Sequence, residues 1–199
     1  MKSKLIFLLL LGLLVQTVYA QKFGIKGGLN LASMSFSEDM ENSVKSILGF
    51  HIGPVADIEL QESLFFNTGI LYSIKGFKME YGSENSTTSL NYLDIPLNVA
   101  YKFSLGESSN FFVQAGPYLA YALSGKSKYG DESEDIDFEA DGIKRMDFGL
   151  GIGAGIELGP IVPSVSYQLG LSNLNDDSED DTTVKNKVLQ FSIAYMFGQ

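Results

Sequence analysis

The side chains that could carry chemistry in this chain are few. His51 is the only histidine and there is no cysteine, so a bound metal ion would depend mainly on oxygen ligands. Such oxygens are concentrated in one acidic run, which supplies Asp176, Asp177, Glu179, Asp180 and Asp181. These carboxylates are the candidate ligands for a divalent cation, although a charge run of this kind is usually a solvated loop. No pattern in the chain indicates a cofactor.

A second set of polar and titratable side chains recurs inside segments that otherwise alternate between apolar and small residues. All its members fall on the non-apolar face of those segments: Lys26, His51, Asp57, Glu59, Lys75, Asp94, Lys102, Asp147 and Glu157. Such a set could form a charged conduction path, or it could form a network of paired charges inside a closed interior. The elements that carry these residues decide between the two.

The segment Met146 to Leu158 has the clearest pattern of these elements. Its even positions are all apolar, whereas its odd positions hold Asp147, Glu157 and four glycines. Because strand side chains alternate with a period of two, this pattern predicts a strand with one apolar face and one bare face. A helix would mix the two sets around its circumference, and repeated glycine would weaken it.

Eight segments of this kind follow one another along the chain. Long polar loops are predicted at 35–46, 78–88, 126–145 and 175–186, after the odd-numbered strands, and short turns after the even-numbered ones. Alternating long loops and short turns are typical of bacterial outer-membrane barrels. The sequence therefore predicts an all-β fold, an eight-stranded antiparallel up-and-down transmembrane β-barrel. Four prolines inside strands predict bulges or strand ends, where the register could shift by one residue: Pro54, Pro96, Pro117 and Pro163.

The apolar face could contact lipid, or it could line a soluble barrel that binds a lipid. An interior of eight strands has room for small side chains only, and the apolar face is crowded with large ones. We therefore expect that face to meet lipid, with representative positions at Phe148, Leu150, Ile152, Ile156, Phe191, Ile193, Tyr195 and Phe197. The polar set then lies in a lumen too narrow for an aqueous channel, which favours the closed network.

The beginning of the chain predicts a secretory signal peptide. Lys2 and Lys4 precede an uninterrupted apolar run, and Ala20 ends a small-residue cleavage site, so residues 1–20 are expected to be removed and 21–199 to form the barrel domain. Loss of the two lysines from a chain of net charge −10 would leave −12. Such an acidic protein is not expected to bind nucleic acid through phosphate neutralisation.

Several stretches resemble the PorT-like family of small outer-membrane β-barrel proteins. They are Phe-Gly-Ile-Lys-Gly-Gly-Leu-Asn at 23–30, Tyr-Leu-Asp-Ile-Pro-Leu at 92–97, Ala-Gly-Pro-Tyr at 115–118, the glycine series that follows Asp147, and the aromatic terminal strand. The resemblance implies a Gram-negative outer membrane, contact with its lipid and lipopolysaccharide, and delivery by the outer-membrane assembly machinery. The family's naming member is an accessory of protein secretion, but the matching motifs are architectural and carry no residue for that role.

We therefore expect a monomeric, non-enzymatic outer-membrane protein with a structural or interaction role through acidic extracellular loops, which could hold a protein partner. With eight strands, both termini would be periplasmic. The alternatives are an accessory of a secretion or transport system, a minor pore, an envelope lipid-modifying enzyme and a soluble lipid-binding barrel. For an enzyme, His51 would need a nucleophile and access to lipid, and the sequence places it on the lumen face with no evident Ser or Asp partner.

Overall fold

The computed structural model describes residues 21–36, 44–81, 84–106, 109–130, 132–176 and 182–197. The predicted signal peptide at 1–20 lies outside these residues. The strands are β1 (Gln21–Phe36), β2 (Val44–Gln61), β3 (Leu64–Gly69), β4 (Leu71–Tyr81), β5 (Glu84–Gly106), β6 (Ser109–Tyr129), β7 (Glu132–Asp135), β8 (Met146–Leu158), β9 (Ile161–Gly170) and β10 (Val184–Phe197). Within this part of the chain no helix has the length and apolar character needed to cross a bilayer.

The strands form a closed antiparallel barrel. β3 and β4 are separated only by Ile70, so they make one wall strand, and β7 is a short addition above the wall. The remaining strands follow one another round the ring, and β1 closes it by pairing with β10 from Phe23–Phe197 to Phe36–Val184. This is an eight-stranded wall, as the sequence predicts. Because the ring is closed, the wall strands can hydrogen-bond their backbone N–H and C=O groups to one another, which the hydrocarbon of a bilayer could not do for them.

The prolines behave differently from the prediction at two of the four positions. Pro54 and Pro96 flank the break at Ile70, whose amide donates to the Pro54 carbonyl at 3.0 Å. Neither proline has a backbone N–H to donate to the neighbouring strand, which explains why the strand pairing is interrupted at Ile70. Pro117 and Pro163 pair with Leu150 and Ile193 in continuous register on one side. On the other side each proline interrupts the pairing, but the register is the same before and after it, so the prediction of a bulge or strand end at these two was wrong.

The two faces of the wall differ as the alternation requires. The eight side chains expected to contact lipid are all on the outer surface, with exposed fractions between 38% and 65%. The inner face combines small residues with a few large rings. A Cβ at Gly149 would lie 2.7 Å from the Tyr118 ring, and one at Gly155 would lie 2.5 Å from the Phe112 ring, so these glycines make room for the rings.

The end of the barrel that carries the long connections, here called the loop end, contains more strand than predicted. The segment 78–88 is largely a hairpin, because β4 continues to Tyr81 and β5 begins at Glu84. The segment 126–145 begins with the end of β6, which pairs with β7 before the chain turns back towards the lumen. The sequence prediction of simple polar loops was wrong here, since cross-strand pairing continues beyond the apolar part of these strands. The opposite end, with the short connections after β2, β5 and β8, is called the turn end.

Candidate functional site

The lumen near the turn end contains an ion cluster around Lys102. Its ammonium lies 2.5 Å from Glu157 Oε1, donates a hydrogen bond to Asp57 Oδ2, and faces the Phe65 ring at 3.6 Å from the centroid. Asn110 donates to the other Glu157 oxygen at 2.8 Å. Glu59, expected in the same polar network, is instead exposed, because it lies near the end of β2 where the pairing shifts. The cluster therefore joins β2, β5 and β8 without it.

Lys26 occupies the middle of the lumen. It lines two small polar cavities, of about 70 and 20 Å³, which it shares with Asn98 and Gln114. Among the described residues no carboxylate oxygen lies within the 4.0 Å of its ammonium that an ion pair requires. Cavities of this size and polarity are suited to ordered water. Lys26 is thus part of the predicted lumen set, but it is not part of an ion pair.

His51 is held by two hydrogen bonds at the centre of a buried polar group. Its Nδ1 lies 2.8 Å from Asn30 Oδ1, and its Nε2 lies 2.9 Å from Ser192 Oγ. Since an amide oxygen can only accept, Nδ1 donates, and in the neutral ring Nε2 accepts from the serine hydroxyl. Asn30 donates in turn to Ser73 Oγ at 3.0 Å and to the Ile74 carbonyl at 2.9 Å.

This arrangement overturns the expectation that His51 has no serine partner. Ser192 follows His51 by 141 residues, and only closure of the barrel by β10 brings the two together. A serine, a histidine and an orienting amide are the parts of a nucleophilic site. All three side chains are buried, however, with exposed fractions of 5%, 1% and 0%.

A second ion cluster lies between the centre and the loop end. Lys75 Nζ lies 3.0 Å from Asp94 Oδ2 and 3.6 Å from Asp147 Oδ2, and all three side chains are fully buried. Asp147 accepts hydrogen bonds from Tyr118 at 3.1 Å and Asn186 at 2.8 Å. The Lys75 ammonium also faces the Tyr118 ring at 4.4 Å from its centroid. Charges, hydroxyl and rings together fill the cross-section of the lumen.

An apolar layer, here called the cap, covers this cluster on the loop-end side. Its buried members are Met34, Leu90, Tyr92, Tyr118, Ala120, Ala122, Phe138 and Leu174. Phe138 comes from the segment predicted to be an acidic loop, and the Arg145 guanidinium lies over its ring at 4.0 Å. Sequence reasoning missed this layer, although isolated large apolar residues such as Ile136 and Phe138 in an acidic stretch were a usable signal.

The acidic candidates for a metal site are only partly within the described residues. Asp176 is exposed and lies 3.4 Å from the Lys144 ammonium, so its carboxylate has a cation beside it. Asp177, Glu179, Asp180 and Asp181 lie outside the described residues. Within the described ranges, no group of three or more His, Cys, Asp or Glu side chains is arranged to hold a metal ion.

Comparison with known proteins identifies the architecture. A family model described as "Outer membrane protein beta-barrel domain" matches residues 19–176. Among solved structures, Neisserial surface protein A is 15% identical with a TM-score of 0.50, covering 88% of this chain and 97% of that one. OprG from Pseudomonas aeruginosa is 13% identical with a TM-score of 0.50, covering 90% and 97%. Ail from Yersinia pestis is 16% identical with a TM-score of 0.43, covering 89% and 99%. No curated protein matches the chain.

At these identities the solved structures bear on the fold alone, and the two with a TM-score of 0.50 have the architecture described above. The family model carries more weight, since it extends from the first strand into the loop-end segment before β10. An apolar outer belt around a lumen of buried charge is what a bilayer requires of such a wall. The chain belongs to the outer membrane protein β-barrel domain family.

Proposed function

We propose that this protein is a non-enzymatic integral protein of the Gram-negative outer membrane that acts through the acidic surface of its loop end. The single observation that carries the proposal is the contrast between a closed lumen and a charged rim. The lumen is blocked by the Lys75 cluster and the cap. At the rim, all four side chains of β7 (Glu132–Asp135) are exposed, and three of them are acidic. A surface of this kind suits a basic protein partner or cation-bridged lipopolysaccharide.

Neutralising the β7 acids tests the interaction role. The variant Glu132→Gln/Glu134→Gln/Asp135→Asn is expected to lose binding of lipopolysaccharide in calcium, or of a basic partner recovered from the native envelope. The matched control is Glu62→Gln, which removes an exposed acid at the turn end. Binding that survives the triple change at millimolar calcium and low salt would contradict the proposal.

The proposed orientation places the loop end outside the cell and both termini in the periplasm. Because the chain has no cysteine, a single introduced thiol reports its own side of the membrane. Ser133→Cys in β7 should react with an impermeant maleimide on intact cells, whereas Glu62→Cys at the turn end should react only after the outer membrane is opened. Both residues are exposed, so a difference in labelling reflects the membrane and not burial.

We further propose that the protein is monomeric, reaches the membrane through the outer-membrane assembly machinery and lies within the PorT-like part of its family. The motifs at 23–30, 92–97 and 115–118 support this placement. An accessory role in secretion or transport is the corresponding alternative. Copurification with a secretion complex, lost in the triple β7 variant, would favour that alternative over a purely structural role.

An envelope enzyme is the second candidate function, and one observation favours it: the hydrogen-bonded Ser192, His51 and Asn30. The burial of all three side chains argues against turnover, because a substrate carbonyl must reach the serine oxygen. Ser192→Ala tests it directly. Lipid or ester hydrolysis by the wild-type protein that disappears in this variant would establish the enzyme. Equal, negligible rates would support the non-enzymatic role.

A further inference from the structure

A cavity at the loop end of the barrel has a different character from the lumen below it. Its volume is about 280 Å³, and its apolar lining includes Met34, Phe36, Phe77, Leu90, Leu174 and Val184. Ligand pockets span roughly 300–1,000 Å³, so the cavity is at the lower limit and suits a small molecule, not a whole lipid. The two phenyl rings meet edge to face at 5.2 Å between centroids, which gives one wall a rigid aromatic surface.

The cavity is closed towards the centre of the barrel. Leu90, Leu174 and Met34 are buried and pack with Tyr92 and Tyr118 in the cap. On the side of the cap that faces the centre of the barrel, the two tyrosine rings contact the buried Lys75 ammonium. A molecule that enters from the loop end therefore stops on an apolar floor, so the cavity is suited to binding and not to passage.

The rim of the cavity is polar and carries one charge. Thr88, Asn175 and Thr182 contribute polar groups, and the exposed Asp141 is the one charged side chain among the described lining residues. The nearby Lys144 ammonium contacts Asp176 at 3.4 Å and the Asn175 carbonyl at 2.9 Å. A carboxylate at the edge of an apolar cavity favours a ligand with a positive end and disfavours one with a negative end.

We propose that this cavity is a binding site for a small apolar amine, with its aromatic or aliphatic body against Phe36 and Phe77 and its ammonium beside Asp141. The site does not depend on the acidic β7 surface or on any partner of the loop end. The ligand is bound from the outside and held above the closed lumen.

The test compares 4-phenylbutylamine with 4-phenylbutyrate, which share a body and differ in charge. The protein, labelled at methyl groups, is titrated in phosphatidylcholine nanodiscs and followed by NMR. With the amine, saturable chemical-shift changes are expected at Met34, Leu90, Leu174 and Val184. The amine should bind at least about fivefold more tightly than the acid, because a factor of this size corresponds to the interaction of one exposed charge pair. The outward methyl of Ile152 reports partition into lipid and should not saturate.

Two variants and one matched control make the result decisive. Val184→Trp fills the cavity and should abolish the saturable shifts, whereas Val165→Trp on the lipid face should leave them unchanged. Asp141 Oδ2 accepts a hydrogen bond from the Asp137 amide at 3.0 Å, and an asparagine side-chain oxygen can accept the same bond, so Asp141→Asn should fold normally. It should weaken the amine about fivefold and bind the acid at least as tightly as the wild-type protein does. Absence of saturable shifts, equal affinity for amine and acid, or an amine affinity insensitive to Asp141→Asn would each overturn the proposal.

Discussion

The ammonium of Lys75 lies 3.6 Å from the carboxylate of Asp147, although β4 and β8 are not neighbours in the wall. Two strands, β5 and β6, separate them around the ring. The contact therefore crosses part of the lumen and joins two strands that are not adjacent in the wall. Asp94 on β5 lies 3.0 Å from the same ammonium, so Lys75 is within ion-pair distance of two buried carboxylates.

Replacement of Lys75 by methionine is expected to be strongly destabilising. The change preserves length but leaves the buried Asp94 and Asp147 with no cation of the described residues within ion-pair distance, a situation that costs about 3–5 kcal/mol. Urea unfolding in lipid vesicles measures the loss. Lys78→Met is the matched control on the same strand, because its pair with Glu80 is partly exposed and should contribute little to the free energy of unfolding.

The destabilisation expected from Lys75→Met should be relieved when the two carboxylates are neutralised as well. Adding Asp94→Asn and Asp147→Asn to Lys75→Met removes the uncompensated charges and should recover much of the lost free energy of unfolding. Equal costs for Lys75→Met and Lys78→Met, or no recovery in the triple variant, would show that the buried cluster does not hold the barrel together.

The wild-type barrel is expected to show no single-channel steps in planar bilayers, because rings and charges fill the lumen. Tyr118→Ala combined with Phe138→Ala removes two rings of the cap, together with the hydroxyl that donates to Asp147, and should introduce a measurable ion leak. Tyr121→Ala combined with Phe138→Ala is the control, since Tyr121 is on the same strand but points outward. Steady conductance through the wild-type protein would contradict the closed lumen.

The barrel could be predicted because alternation is a local property. Apolar residues at every second position of Met146–Leu158 determine both the strand and its outer face, and eight such segments leave few other folds. The same period places Asp147 and Glu157 on the inner face. Which partner each charge finds is not local, however: Lys102 contacts two carboxylates, whereas Lys26 contacts none within ion-pair distance among the described residues.

The missed features depend on closure and on backbone irregularity. Ser192 reaches His51 only because the last strand pairs with the first, across 141 residues of sequence. Phe138 returns to the lumen through a turn of 137–142 that ends at Gly142, whose φ of 60° favours glycine. Alternation predicts that the first and last strands pair, but it gives neither the register of that pair nor the turn that brings Phe138 back to the lumen. It therefore could not locate the contact between Ser192 and His51 or the cap.

The glycine positions on the inner face of β8 are expected to differ sharply in how well they tolerate substitution by alanine. A Cβ at Gly155 would lie 2.6 Å from the Pro163 carbonyl oxygen, which is backbone and cannot yield, so Gly155→Ala should cost about 1–3 kcal/mol. At Gly151 the nearest atom is 3.7 Å away, and alanine should be nearly neutral there. Urea unfolding of the two variants checks this, and equal effects would contradict the packing described for this strand.

A pH dependence is expected at Glu80, which lies above the apolar belt at the loop end. The hydrogen bond from Lys45, 2.5 Å away, holds the pKa of this carboxyl below its usual range, with a smaller contribution from Lys78. Because the folded-state pKa is lowered, the pair stabilises the hairpin above the unfolded-state pKa of Glu80, and this stabilisation is lost as the pH falls through the folded-state value. Lys45→Met should therefore raise the pKa of Glu80, measured from its side-chain carboxyl resonance by NMR, and Lys78→Met should raise it less. A larger rise with Lys78→Met, or no rise with either, would show that Lys45 does not determine this titration.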